Sequence, residues 1–510
     1  MRTTSSWRGL TRCAGVLAAL LLLACASLPR EREYASWIEI RSRGLRIVSE
    51  IDVETTRAMA RELEPLEAVA AHLTGAALVP PRVPTTIVIF RNAASYRRFA
   101  ASDTNGVFIA GQRENFALID GTARAGGLGV LMHEYSHYAV RNAAAMAYPA
   151  WYDEGVAELM RGTRAGDAVI QIGLPLEDRK LTPLQSRILP LCKLLTADPG
   201  ALDKLESAAF YAKSWHLVRY LRFGGELGLH DRSAELDDYL VRVHGGQAAE
   251  AAWREAFGVD ANEFEAELDD YLRRLPSAGV DLARSDSTSG RELEAHALDA
   301  LEAERILGTV ALRTQRYARA ERHFRAVLAS APRDARTHFG LALALRAQKR
   351  ERECGELYAR GLALEPDAAL SQLDYAQYLL AQVDARTGST DPDRTPLLGR
   401  AREHLRRAIE LDPELPEAHA QLASSYLLDA DGDVEQGLAE ALRAQQLLSS
   451  DSRVSYLLAV AHYRSGRLEP ARKLLAIAKA QTHRRTPELE TLEARIAQAS
   501  TDAPAAGTGY

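Results

Sequence analysis

From residue 291 onward the chain repeats itself every 34 residues, and no other feature restricts its fold as tightly. In residues 301–334, Leu307-Gly308, Ala320, Phe324 and Pro332 occupy small, large and chain-breaking positions. Leu341-Ala342, Cys354, Tyr358 and Pro366 return at the same offsets in 335–368, joined there by Gly361. A third unit begins near Ala369 with Tyr375-Ala376 and resumes at Ala401, Leu405, Ala408 and Pro413, after a polar insertion around Thr387 to Pro396. A fourth runs from Pro416 with Leu422-Ala423, and a fifth from about Ser452 with Leu458-Ala459 and Ala471. Small residues at fixed places let two helices of one unit approach closely, while the large ones fill the layer between units. Such a unit cannot bury its apolar side alone, so about three or more must stack, giving a superhelix with a concave face.

This pattern resembles the tetratricopeptide repeat. The resemblance implies an all-α superhelix over residues 291–498, about five units, that binds a protein partner. The tail 499–510 is rich in Ala, Gly and Thr and is expected to be disordered. Ahead of the array, residues 276–290 are polar with few large apolar side chains and read as a linker, so the array is expected to fold as a separate module.

The chain has 510 residues, 47% hydrophobic and 26% charged, with a net charge of −6. No basic block or aromatic-interleaved basic stripe occurs, which argues against nucleic acid as a partner. Residues 1–25 read as a targeting segment: Arg2, Arg8 and Arg12 precede an apolar run from Ala14 to Ala24, too short to span a bilayer. Leu22-Leu23-Ala24-Cys25 resembles a bacterial lipobox, which implies a lipid on Cys25 and attachment to the cell envelope. Ala26 after the cysteine favours the periplasmic face of the outer membrane. Beyond Cys13 and Cys25 only Cys192 and Cys354 remain, so no disulfide framework is implied.

Residues 37–275 read as one α+β domain. Strands are expected at Leu45–Val48 and Thr85–Phe90, and a hairpin from Gly106–Ala110 and Phe116–Asp120. Helices are expected over Thr55–Thr74, Ser95–Ala101, Phe210–Leu221 and Phe257–Arg274, with a loop and short helix over Leu181–Leu195.

Within this domain, His133-Glu134-Tyr135-Ser136-His137 reads HExxH. On a helix the two histidines fall one turn apart on one face, so both imidazoles can reach one metal ion with Glu134 beside the open position. A second helix is expected from Pro149, carrying Glu154 and, a turn later, Glu158. Two helices joined by a loop would supply the His2Glu set of a catalytic zinc.

HExxH followed by W-x-x-E-G-x-A-E (Trp151, Glu154, Gly155, Ala157, Glu158) resembles the gluzincin metallopeptidases, the peptidase MA-like superfamily that includes thermolysin and aminopeptidase N. The resemblance is strongest to bacterial domains of unassigned substrate that precede tetratricopeptide repeats. It implies a zincin-like fold for residues 37–275 and one Zn2+ held by His133, His137 and Glu154. Glu134 would be the general base, and Glu158 would orient His133 from behind. Gly155 would let the second helix pack closely. Tyr211 or His216 would donate to the developing oxyanion, and a strand of the hairpin would border the cleft and pair with an extended peptide. The expected function is membrane-anchored hydrolysis of peptide bonds, with the repeats recruiting a protein substrate or partner. The alternative is a non-catalytic repeat scaffold or assembly factor whose metal site is vestigial or structural. A periplasmic quality-control protease of the HExxH-plus-repeat type fits less well, because its E-x-x-x-D segment is here E-x-x-x-E.

Overall fold

A computed structural model describes residues 37–502 except 43–44, 75–82, 102–103, 110, 112, 123, 144–147, 167, 275, 284–292, 385–393, 449–450 and 482–485. The targeting segment with Cys25 therefore lies outside the described residues. Among those described, no helix is long and apolar enough to cross a membrane.

The centre is a six-stranded sheet of β1 (Ile38–Ser42), β2 (Leu45–Ser49), β3 (Thr85–Phe90), β4 (Gly106–Ile109), β5 (Asn115–Asp120) and β9 (Ala295–Ala297), in the order β4-β5-β3-β2-β1-β9. Its middle, β2-β3-β5, is parallel; β4, β1 and β9 are antiparallel flanks. β1 and β9 went unread in the sequence. Every residue of β3 and β5 is buried, which requires cover on both faces of the sheet. Period-two alternation divides the work. Ile47, Ile87, Ile89 and Ile119 face one core, whereas Val48, Val88, Phe90, Phe116 and Leu118 face another.

The first core is covered by helices of the N-terminal part. The helix expected over Thr55–Thr74 is two, α1 (Val53–Leu63) and α2 (Leu66–Thr74), broken at Pro65. A four-residue helix α3 (Ala93–Tyr96) follows β3, and after β5 come α4 (Arg124–Ala143) and α5 (Ala150–Arg161). Past two short helices, α6 (Pro183–Ser186) and α7 (Leu191–Thr196), lies the central α8 (Lys204–Phe223). Three further helices, α9 (Ser233–His244), α10 (Ala249–Phe257) and α11 (Ala261–Arg274), close this side, the last two separated at Gly258 with φ +72°.

The stretch expected to be a linker is partly built into the fold. Val280–Ala283 is a strand, β8, pairing with β7 (Val169–Ile172), which pairs in turn with β6 (Arg164–Ala165). Arg219, buried in α8, donates to the carbonyls of Gly173, Pro276 and Ala278 and so ties this segment down. A polar composition hid it, because the pairing is through backbone and the anchor is a distant arginine.

The second core belongs to the repeats. Among the described residues, ten helices form five antiparallel pairs: α12 (Ala300–Arg313) with α13 (Tyr317–Ser330), α14 (Ala335–Ala347) with α15 (Glu351–Leu364), α16 (Ala369–Asp384) with α17 (Arg394–Leu411), α18 (Pro416–Leu427) with α19 (Val434–Leu447), and α20 (Ser452–Arg464) with α21 (Leu468–Gln481). A last helix, α22 (Pro487–Asp502), runs into the expected tail, and Arg394–Pro396 of the expected insertion are already helical. Leu307 and Leu341, Ala320 and Cys354, Phe324 and Tyr358 are buried in pairs 34 residues apart. A Cβ on Gly308 would come within 2.7 Å of the Phe324 ring, which is why that position is small. One recurring tie escaped the sequence reading. Six residues after each breaker proline a side chain donates to that proline's carbonyl: His338 to Pro332 at 2.9 Å, Gln372 to Pro366 at 2.5 Å, His419 to Pro413 at 3.1 Å.

The expectation of a separate repeat module is corrected by this second core. Ala303, Leu307, Val310 and Phe324 join Val48, Val88, Phe90 and Phe116 of the sheet in one continuous cluster. Phe99 stacks on His323 at 5.9 Å and beneath the Arg319 guanidinium at 5.2 Å, and Arg46 pairs with Glu302 at 2.8 Å. The helical array serves as the sheet's second cover.

Candidate metal centre

α4 carries the HExxH pentapeptide and lies along β4, where Phe108 meets Tyr135 edge to face at 6.4 Å. Leu131, Met132 and Tyr135 turn into the core, which leaves His133, Glu134 and His137 for the side facing α5 and α8. α5 is buried along nearly its whole length, from Trp151 to Met160. Its depth depends on Gly155: a Cβ there would stand 2.5 Å from the Ser214 carbonyl and 2.5 Å from Val218. The small residue thus lets α5 press against α8 and carry Glu154 inward.

The result is a convergence of three side chains. His133 Nε2 lies 3.2 Å and His137 Nε2 3.6 Å from the same oxygen, Glu154 Oε2, and ligand atoms of the three lie within 4.8 Å of one another. The two rings stand at 82°, their centroids 5.1 Å apart. Glu154 Oε2 is shielded from solvent and accepts no well-aligned hydrogen bond. Behind each imidazole stands a carboxylate: Glu158 Oε1 is 3.3 Å from His133 Nδ1, and Asp153 Oδ1 is 3.1 Å from His137 Nδ1. Both rings are therefore oriented with Nε2 toward the shared point.

Charge balance follows from this packing. Burial by itself would lower the His133 imidazole, but Glu154 and Glu158 outweigh it and raise the group to about 10. His137 is also raised, against its burial, by Asp153 and then Glu154. Glu158 is almost fully buried, yet His133 and Arg179 bring it down to about 2 against that burial. Arg161 and Arg179 each donate to it at 2.9 Å, one to each oxygen. Three carboxylates thus surround two imidazoles, with Arg161 and Arg179 balancing the outer one, Glu158.

Of the two candidate oxyanion donors, the structure brings in one. Tyr211 stands half-buried with its ring 6.3 Å from that of His133 and 5.6 Å from the Arg179 guanidinium. Burial, and then the carboxylates of Glu154, Glu134 and Glu158, push its phenol up to about 12, so it keeps its proton at neutral pH. His216 is corrected: it is fully buried between Trp215 and Tyr271, its Nε2 at 3.1 Å from the Arg179 carbonyl. Burial pushes this imidazole down to about 3, and it is a neutral core residue. Asp153, Arg161 and Arg179 were missed. Asp153 was findable, since it directly precedes Glu154 on α5; Arg179 was not, because it arrives from a separate turn after β7.

No family model matches the chain, and no curated protein matches it. Among solved structures, the thermophilic TPR protein TTC0263 of Thermus thermophilus is 22% identical with a TM-score of 0.33, over 40% of this chain and 100% of that one. PilW, a widely conserved type IV pilus biogenesis factor, is 17% identical with a TM-score of 0.35, over 41% and 89%. YrrB, a TPR protein with an unusual peptide-binding site, is 13% identical with a TM-score of 0.28, over 40% and 98%. The likeness is one of helical-repeat fold and falls on the repeat part of the chain.

Proposed function

We propose that the chain is a zinc metallopeptidase of gluzincin type, on a zincin-like domain whose attached repeats hold a protein substrate or partner. One observation carries the reading: both Nε2 atoms of the HExxH histidines converge on Glu154 Oε2, with a carboxylate behind each ring. The donor set fits zinc, two imidazoles and one carboxylate with a buried oxygen lacking a hydrogen bond. Bound there, zinc supplies Lewis acidity toward a carbonyl and activates water at neutral pH. The remaining chemistry belongs to this chain. Glu134, next to His133, takes a proton from water and returns it to the departing amine. Tyr211 donates a hydrogen bond, through the proton it retains, to the oxyanion that develops at the scissile carbonyl. A peptide in extended form adds to the outer edge of β4 and so runs past α4. Attachment through a lipid on Cys25, at the periplasmic face of the outer membrane, belongs to the same reading and is tested by mass spectrometry of the mature N-terminus.

A second reading, a repeat scaffold with a structural metal, is favoured by the core that the sheet shares with the repeats. Metal analysis of the purified chain lacking residues 1–36, paired with cleavage of a peptide library, separates the two. About one zinc per chain, with cleavage that Glu134→Gln abolishes, supports the peptidase. Stoichiometric zinc without cleavage supports the scaffold, and absence of bound zinc overturns both metal assignments.

A further inference from the structure

The repeats and the sheet enclose a groove of about 1270 Å³, and its acidic end is already occupied by a residue of this chain. Arg113, between β4 and β5, reaches across to the concave side of the array. Its Nη1 lies 2.6 Å from Asp374 Oδ1 on α16, and its Nε 2.5 Å from Glu417 Oε2 on α18. The two carboxylates come from different repeats and receive different edges of one guanidinium, the fork that arginine presents and lysine does not. Gln377 orients Glu417 by donating to its other oxygen at 2.5 Å. Both acids have little solvent exposure, so leaving them together without a cation would be costly. Burial holds the Asp374 carboxyl above its ordinary range even with Arg113 beside it. Arg113 in turn is an imperfect occupant: its other terminal nitrogen, Nη2, is shielded from solvent and has no hydrogen-bond partner.

We propose that Asp374 and Glu417 form a recognition site for an arginine side chain on a partner polypeptide, and that Arg113 is the resident ligand such a partner displaces. Charge complementarity sets the partner's chemistry: Arg336 and Arg313 act on these two little-exposed carboxylates through space, but the place that Arg113 fills between them suits a forked cation and not a neutral or anionic group. Competition from Arg113 sets its strength, because any incoming arginine must replace contacts already made within the chain. The site lies across the sheet from the metal centre and depends on no part of the peptidase reading.

The test uses the chain from residue 37 onward and a labelled pentapeptide with arginine at its centre and glycine and alanine on either side. Its control carries citrulline, which keeps the shape and loses the charge. Arg113→Ala and Arg113→Gln should each bind the arginine peptide roughly tenfold more tightly than the unaltered protein. Citrulline should lose that gain, and adding Asp374→Asn with Glu417→Gln should abolish it. No gain in either variant, or an equal gain with citrulline, overturns the proposal. Should both variants fail to fold, the unaltered chain provides the measurement. Excess arginine peptide should then speed amide exchange at Asn115 and Phe116, and equal rates with the citrulline peptide would overturn the assignment.

Discussion

His133 and His137 differ in what stands behind them, and this makes the surrounding carboxylates separable by mutation. Glu154 offers the shared oxygen, so Glu154→Gln should nearly eliminate bound zinc. Asp153→Asn weakens the carboxylate behind His137, and Glu158→Gln does so behind His133 while also removing the charge partner of Arg161 and Arg179; neither removes a ligand, so each should weaken zinc by about 10–100-fold. Zinc titration against a competing chelator orders the three; retention by Glu154→Gln with loss in Glu158→Gln would reverse the assignment. Glu134→Gln should keep zinc and lose on the order of a hundredfold or more in cleavage, because it removes a base and no ligand. Protons provide a further check. His133 is held near 10, above its ordinary 6.5, so it is protonated at neutral pH in the metal-free chain and must lose that proton to bind zinc. Zinc affinity should therefore rise with pH above neutrality, by about tenfold per unit for each imidazole proton displaced, with proton release seen by calorimetry in buffers of different ionisation enthalpy. Affinity that is flat between pH 6 and 9 would show the proton is elsewhere.

At the scale of elements, the convergence of His133, His137 and Glu154 depends on how closely α5 and α8 approach. Gly155→Ala places a methyl group 2.5 Å from both the Ser214 carbonyl and Val218, and backbone cannot yield as a flexible side chain would. We expect a loss of about 1–3 kcal/mol in stability and weaker zinc binding, since α5 must retreat with Glu154 on it. Chemical denaturation and the same chelator titration measure the two effects. Unchanged values would mean the helices have more slack than their packing indicates.

For the molecule as a whole, the sheet's two covers predict cooperativity across the former boundary. Phe99→Ala removes a ring held between the sheet core and α13, and should cost about 3 kcal/mol. Unfolding followed by far-ultraviolet circular dichroism, dominated by the helices, should shift together with tryptophan fluorescence. All of the tryptophans described, from Trp37 to Trp253, lie ahead of the repeats. Two separated transitions, with only the fluorescence one moved, would restore the picture of independent modules.

The local sequence already specified the repeat period, the hairpin of β4 and β5, and the helix that carries His133 and His137, because each is set by spacings of a few residues or by one recurring interval. Glu154 and Glu158 were legible for the same reason, one turn apart on one helix. Tertiary structure alone decided which of Tyr211 and His216 lies beside His133, since both lie on α8 and only its rotation against α5 distinguishes them. It also decided that Arg179 would reach Glu158, that β8 from the polar stretch and β9 from the start of the expected repeats would each join a sheet, and that Arg113 would meet Asp374 and Glu417. These are contacts between residues tens to hundreds of positions apart. Their formation follows from the sheet needing cover on both faces, which no single segment of the chain can express.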